Sequence, residues 1–430
     1  MKFNVITGNL TISSRKFVAV TLLTSGTLAW FFLLQVYLGD ILTSIVQDLF
    51  WVETGRALFF GFGILSAIIG SLISKKLDSK KFFITWIILG ILSTLSLALI
   101  QGILLSLISC IMLGVSLGFG LPGSMALIAD STTIEERGRV SGITILETFI
   151  IAFLTIAIVR ILGEGILVMI LLLTVVRMVS FSAFILDRSK NKPRKEKIRF
   201  PKSAYKEFTF YIIPWIMFAI AAGIAWKLFP KTDEYLTAIS LGTVFRYVFI
   251  AIFGFVWGVV ADRVGRKQPI IIGLIMLGVS FALLGFAMSP DTVLFYLAIS
   301  GIAWGSFLTI YLAIPGDLSV SGSREKFYAL VNLPLIILFS LSMLNLSFLD
   351  SFSVSSFSQV LSLLLFISII PVLRAKETLQ ESKIRKRKMK EYTEKVGKII
   401  QESKKNINEI SFISIQYSFN FIKNLKEILH

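Results

Sequence analysis

Twelve separate runs of about 20 residues in this chain are apolar and almost free of charge, a length that carries one helix across the hydrocarbon core of a bilayer. No water reaches that core, so each run must satisfy its own backbone polar groups as a helix. The spans read as 17–38, 54–74, 82–100, 103–128, 140–160, 165–186, 208–229, 239–260, 269–288, 292–315, 327–348 and 355–373. Composition points the same way. The chain is 55% hydrophobic and only 16% charged, whereas soluble domains are about 25% charged. An all-α polytopic membrane protein is expected.

The charges sort by side. With the N-terminus in the cytoplasm, 37 of the 43 basic residues fall in the inner segments. Four lie outside (Arg56, Arg160, Lys227 and Lys231) and two, Arg177 and Arg246, lie within spans. Basic residues are retained on the cytoplasmic side of membrane proteins. Both termini are therefore placed in the cytoplasm and the chain in the plasma membrane. The net charge of +17 then reads as a belt facing anionic lipid, and no nucleic-acid partner is expected.

Several chemistries have no support. The sole histidine is His430 and the sole cysteine is Cys110. No phosphate-binding GxxxxGK[ST] or zinc-binding HExxH sequence occurs. No catalytic residue, cofactor or metal is expected, and the chain is not read as an enzyme.

A repeat organises the spans. "GVSLGFGLPGSMALIADSTTIEERGR" begins at Gly114 and "GIAWGSFLTIYLAIPGDLSVSGSREK" at Gly301, 187 positions later. At that offset Gly114 aligns with Gly301, Gly118 with Gly305, Asp130 with Asp317, Arg137 with Arg324 and Arg139 with Lys326. The same offset places "SKKLDSKKFFI", from Ser74, on the stretch containing "VVADRVGRK", with Lys76 on Arg263, Lys80 on Lys267 and Lys75 on Asp262. Two six-helix halves in one orientation follow, and parallel repeats with a site between them are a transporter architecture. The chain divides into an N-terminal tail (1–14), a first six-helix bundle (15–187), a basic linker (188–206), a second bundle (207–375) and a basic tail (376–430).

With these motifs in place, residues 15–375 resemble the major facilitator superfamily. "GVVADRVGRK", with Gly258, Asp262, Arg263, Gly265, Arg266 and Lys267, is similar to that family's signature between helices 8 and 9. Asp130, Arg137, Gly138 and Arg139 are similar to its loop between helices 4 and 5. The resemblance implies twelve helices in two pseudo-symmetric bundles and a cavity lined by helices 1, 4, 7 and 10. It also implies an inner gate built from Gly258, Asp262, Arg263, Gly265, Arg266, Asp130, Arg137, Asp317 and Arg324. Asp262 is expected to meet the positive end of helix 11 near Phe327, with Gly258 permitting close approach. Arg263 and Arg266 are expected to pair with acids such as Asp317.

Ionisable groups within spans are functional candidates. Counting helical rise from the inner ends puts Glu147 about 12 Å and Arg177 about 15 Å deep. They are read either as a structural ion pair between helices 5 and 6 or with Glu147 as a proton carrier. Arg246 either attracts an anionic solute group or snorkels to the outer surface. Trp30 and Trp304 are candidate cavity residues. After helix 12, "KIRKRKMK" at 383–390 and the spacing of apolar residues beyond it predict an amphipathic helix on anionic inner-leaflet lipid.

The expectation is a secondary-active transporter of a small-molecule substrate by alternating access, with protons as candidate coupling ions. The alternatives are a passive facilitator, or a transport-inactive sensor or lipid-handling protein on the same fold.

Overall fold

In the computed structural model, the described residues are 10–74, 79–99, 102–163, 165–186, 202–225, 228–229, 232–320, 323–343 and 353–379. Residues 75–78, 187–201 and those from 380 onward lie outside them. The tail helix expected there and the first-half copy of the signature (Lys75 and Lys76) therefore stay sequence readings.

Twelve long helices account for the spans. They are α1 (Ser14–Val46), α2 (Leu49–Ile73), α3 (Ser79–Ser96), α4 (Ile103–Ser131), α5 (Arg137–Leu162), α6 (Ile166–Val179), α7 (Lys202–Ala225), α8 (Asp233–Val264), α9 (Lys267–Phe286), α10 (Pro290–Leu318), α11 (Arg324–Met343) and α12 (Val354–Ile367). Short helices Ser182–Leu186 and Ile369–Arg374 follow α6 and α12. Among the described residues, eleven helices are long and apolar enough to cross a membrane. The helix outside that set is α11, which carries Pro334 within its length.

Several helices outrun the apolar runs that announce them. At 33 residues, α1 is about 50 Å long by helical rise, against a hydrocarbon core of about 30 Å. Charged and polar residues at the ends stay helical because the ends are capped or packed. The Asp48 side chain accepts from the Phe50 N–H at the start of α2, and Ser289 and Thr292 form a reciprocal capping box at the start of α10 behind Pro290.

The helices pack as two sets of six. In the first, α4 lies along α2 and α1 contacts α4, α5 and α6; in the second, α10 lies along α8 and α9, and α7 contacts α11. The sets meet chiefly through α5 on α8 and α2 on α11. The repeat is visible in the glycines. A Cβ on Gly114 or Gly118 would stand 2.3 Å from the Phe59 carbonyl oxygen or 2.1 Å from that of Gly63 on α2. Their counterparts Gly301 and Gly305 sit equally tight against α8, at 2.4 Å from the Arg246 carbonyl oxygen and 2.7 Å from the Gly254 nitrogen. The same small residues thus set the same backbone contact in both halves, as small residues do where helices cross in lipid.

Candidate transport site

Two layers of polar chemistry lie along the bundle. One is at the basic end, where the α4–α5, α8–α9 and α10–α11 turns fall. The other is nearer the middle of the helices.

At the basic end the two halves are joined by charge. Arg137 at the start of α5 donates to Asp317 at the end of α10 at 2.5 Å. Arg266 donates to Asp317 at 3.0 Å through Nε and to Asp262 at 2.8 Å through one terminal nitrogen. Its other terminal nitrogen reaches the Ile134 carbonyl of the first half at 2.7 Å. Asp130 pairs with Arg324. The side chains of Arg266 and Asp317 are fully buried. The repeat explains the pairing: each aspartate takes the arginine of the opposite half, Asp317 with Arg137 and Asp130 with Arg324, and these are the positions the 187-residue offset aligns. Burial pushes the Arg266 guanidinium down, but the Asp317 and Asp262 carboxylates outweigh it and raise its pKa above the usual arginine value.

Asp262 departs from expectation. Its oxygens accept from the Gly138 and Arg139 backbone N–H groups, at 2.8 and 2.9 Å, and from the Arg139 side chain at 3.1 Å. It therefore caps the N-terminus of α5, not that of α11. A Cβ on Gly258 would lie 2.4 Å from the Gly138 carbonyl oxygen, and one on Gly138 would lie 2.5 Å from Asp262 Oδ1. The α5–α8 crossing leaves room for no other residue there, so the carboxylate reaches the helix it touches. Phe327 on α11 packs instead on Tyr205 and Phe208 of α7. Arg263, expected to pair with acids, is exposed and makes no ion pair among the described residues, because one residue beyond Asp262 the helix has turned about 100° away. Gly265 closes the α8–α9 turn with φ +105°, a conformation that favours glycine.

Three further contacts at this end had no sequence reading. Glu377, just past α12, accepts from the Arg266 and Lys267 backbone N–H groups at 2.8 and 3.1 Å and so caps α9. Thr378 donates to Asp317 at 3.0 Å. Glu136 accepts from the Thr11 backbone and hydroxyl, both at 2.6 Å, and from the Thr133 N–H at 2.9 Å. Burial raises the Glu136 carboxyl, but these hydrogen bonds prevail and hold it below the ordinary glutamate value. The only local signal was an acid followed by threonine after the last apolar run, hidden in a segment dominated by basic residues.

The second layer is less well matched. Glu147 and Arg177 do not pair. Glu147 accepts from Thr21 on α1 at 3.2 Å, and its other oxygen is buried without a hydrogen-bond partner. Arg177, wholly buried, donates to Thr27 at 2.6 Å and lies over the Trp86 and Trp30 rings at 4.3 and 5.1 Å. Both residues face α1, but at positions six residues apart, about 9 Å by helical rise. Counting depth from the loops could not supply the rotation of each helix. Trp30 turns inward, donating to Thr94 at 3.0 Å. It belongs to the first bundle's packing.

Arg246 does not snorkel. It is 8% exposed, and its guanidinium lies 5.4 Å from the centre of the Trp304 ring. Trp304 packs against Trp215 and Phe218 of α7. Beside Trp215 a small cleft opens between the halves, lined by Leu28, Met125, Ile145, Tyr311, Val331 and Asn332 among others. The polar groups on its wall are engaged: Trp215 donates to the Val331 carbonyl at 2.8 Å and Tyr311 to the Tyr211 carbonyl at 2.5 Å.

The duplicated six-helix bundle, with crossed inter-half ion pairs and a cleft between the halves, can be compared with known families and structures. Residues 216–420 match the family model described as Major Facilitator Superfamily. Three solved structures are similar to this chain over most of its length. The human organic anion transporter MFSD10 (TETRAN) superposes with a TM-score of 0.65 at 12% identity, over 83% of this chain and 99% of that one. The transporter FucP in its outward conformation gives 0.65 at 13%, over 84% and 99%. A variant of the E. coli fucose:proton symporter FucP gives 0.64 at 15%, over 84% and 99%. At these identities the likeness fixes the fold and leaves the solute open. No curated protein matches by sequence.

Proposed function

We propose that this chain is a major facilitator superfamily transporter that carries a small solute across the plasma membrane by alternating access, and that protons drive it through Glu147. The basic end faces the cytoplasm in this reading, together with both termini. The ring of Arg137, Asp317, Arg266 and Asp262, with the Asp130–Arg324 pair, is the inner gate. Rocking the halves apart breaks it, and Gly258 and Gly265 let the helices close it again. A passive facilitator would need the same gate and no acid in the middle of the bundle.

The observation that carries the coupling is Glu147 itself. An ionisable group at such depth is functional by default, and this one keeps a buried oxygen with no hydrogen-bond partner and no cation in ion-pair range among the described residues. A proton can bind there without breaking an existing bond. Transport coupled to protons is named for one structure that this fold resembles, the fucose:proton symporter.

The test uses the full chain in proteoliposomes holding a pH dye, with a panel of solutes added outside. The expected result is a solute-dependent proton flux that disappears in Glu147→Gln while counterflow of the same solute persists. Proton flux that survives in the variant removes Glu147 from the mechanism. Solute flux with no proton movement in the wild-type protein makes the chain a facilitator.

A further inference from the structure

An ionised carboxylate held away from water is costly unless a positive charge pairs with it, and the groups around Glu147 decide what that charge can be. Among the described residues no charged side chain faces Glu147 from α1 or from another helix packed on it; only burial and the hydroxyls of Thr21 and Ser25 act on the carboxylate. Arg177 meets α1 at a different level, on Thr27. Thr21 and Ser25 stand one turn apart on one face of α1, and both are wholly buried. The groups that converge are therefore all oxygen: the two of the carboxylate and one from each hydroxyl.

Those hydroxyls are not used as their neighbours are. Inside a helix a serine or threonine hydroxyl can turn back to a carbonyl of its own helix. Thr27 donates in this way to Leu23 at 3.0 Å, Thr144 to Val140 at 2.9 Å and Thr148 to Thr144 at 2.7 Å. Thr21 instead stands between two acceptors, 3.3 Å from the Val18 carbonyl oxygen and 3.2 Å from Glu147 Oε1. Both distances are long beside the about 2.7–2.8 Å of an ordinary O–H···O bond. Ser25 makes no bond to a carbonyl of its own helix.

We infer that Glu147, Thr21 and Ser25 form a seat for one sodium ion, which competes there with the proton. The inference deepens the reading of Glu147 as the coupling group and rests on it for a role in transport. Hard cations are held by oxygen ligands, so the seat needs neither histidine nor thiolate. One carboxylate balances one positive charge, which suits a monovalent ion. The described residues hold no group of three or more acidic, histidine or cysteine side chains that could hold a metal ion, and that leaves a more highly charged ion without enough negative charge. As the ion enters, the Thr21 hydrogen turns to the Val18 carbonyl and leaves its oxygen lone pairs facing the seat. Two ligand oxygens 3.2 Å apart fit the tight shell of sodium better than the wider shell of potassium. A proton on Glu147 removes the charge that holds the ion, so occupancy by one excludes the other.

The test is thermal stabilisation of the purified full chain at constant ionic strength, with choline chloride replaced stepwise by sodium chloride or potassium chloride. Sodium should raise the unfolding temperature in a saturable way and potassium should not. Glu147→Gln should abolish the effect. Ser25→Ala, which removes one ligand and no charge, should weaken the apparent sodium affinity several-fold while leaving the unfolding temperature in choline near that of the wild type. In the wild-type protein the apparent affinity should fall as the medium is taken from alkaline to acid. Equal stabilisation by sodium and potassium overturns the inference, as does a sodium effect that survives Glu147→Gln or is untouched by Ser25→Ala, an affinity that acid leaves unchanged, or no sodium effect at all.

A separate measurement isolates the parent reading. Solute-dependent proton flux in proteoliposomes prepared without sodium reports coupling through Glu147 by itself. Such flux without sodium stabilisation defeats only the sodium seat. Sodium stabilisation with no such flux defeats the proton reading and leaves a bound ion without that role.

Discussion

The basic end and the middle of this molecule treat charge in opposite ways. At the basic end, Asp262 and Asp317 are buried and each accepts at least three hydrogen bonds, some from each half of the protein. About two to three helical turns deeper, Glu147 has only the Thr21 and Ser25 hydroxyls as donors, and Arg177 has a hydroxyl, a carbonyl and two ring faces but no carboxylate. Matched charge holds two bodies together and is released only when they part. Unmatched charge exposes a group to whatever binds next. The first arrangement suits a gate and the second suits a cargo or coupling site.

Asp317→Asn should show the largest effect, because three donors from three segments converge on that side chain. Removing one partner of a buried ion pair destabilises by about 3–5 kcal/mol. The closed state at the basic end should lose most of its population, read as faster maleimide labelling from that side of a cysteine at Asn332. Thermal stability should fall with it. Labelling and stability both equal to wild type would show that the ring does not hold the halves.

Glu147→Gln sharpens the contrast from the other side. No cation partner is lost, so unfolding temperature should stay within a few degrees of wild type while proton-driven accumulation disappears. A large stability loss in this variant would mean that the carboxylate holds structure together, as the basic-end acids do, and the division between the two layers would fail.

Arg177→Met asks whether every unmatched charge is functional. The guanidinium is enclosed by Trp30 and Trp86, and a Cβ at Gly90 would stand 2.2 Å from its Nε, so the space is shaped to the side chain. Contacts of a buried cation with aromatic faces are worth about 2 kcal/mol, and a long apolar side chain recovers part of the packing. The expectation is a stability change of about 1–2 kcal/mol with proton coupling intact. Loss of coupling would move Arg177 from the packing of the first bundle into the transport machinery.

The spans were legible because bilayer thickness imposes a run length, and the duplication because Asp130, Arg137, Asp317 and Arg324 stand outside apolar sequence, where matches carry information. Rotation about each helix axis was not legible. Glu147 and Arg177 lie at similar counted depths, yet they face α1 at different levels, since depth along a helix says nothing of azimuth. The partner of Asp262 was missed for a related reason. A carboxylate at a helix end caps whichever helix crosses closest, and the crossing is set by Gly138 and Gly258 in contact, two positions 120 residues apart. Glu377 and Thr378 were hidden by composition, two short polar residues in a strongly basic stretch.

The smallest effect belongs to the edge of the basic layer, where the segment before α1 is held by Glu136. Thr11→Val removes the hydroxyl donor and keeps the backbone N–H, so about 0.5–1.5 kcal/mol is at stake. The same contact is sensitive to pH. The Glu136 carboxyl is held below its ordinary value by the Thr11 and Thr133 donors, so its contribution is fully present above the ordinary glutamate range and fades as pH falls through the lowered folded-state value. Thr11→Val loses one of the donors that depress it, so in the variant the fade should begin at higher pH. Hydrogen exchange of the Thr11 amide, followed as pH is lowered, reads both effects. Exchange that is equally protected in the two proteins across that range would show that Glu136 does not tether the N-terminal segment.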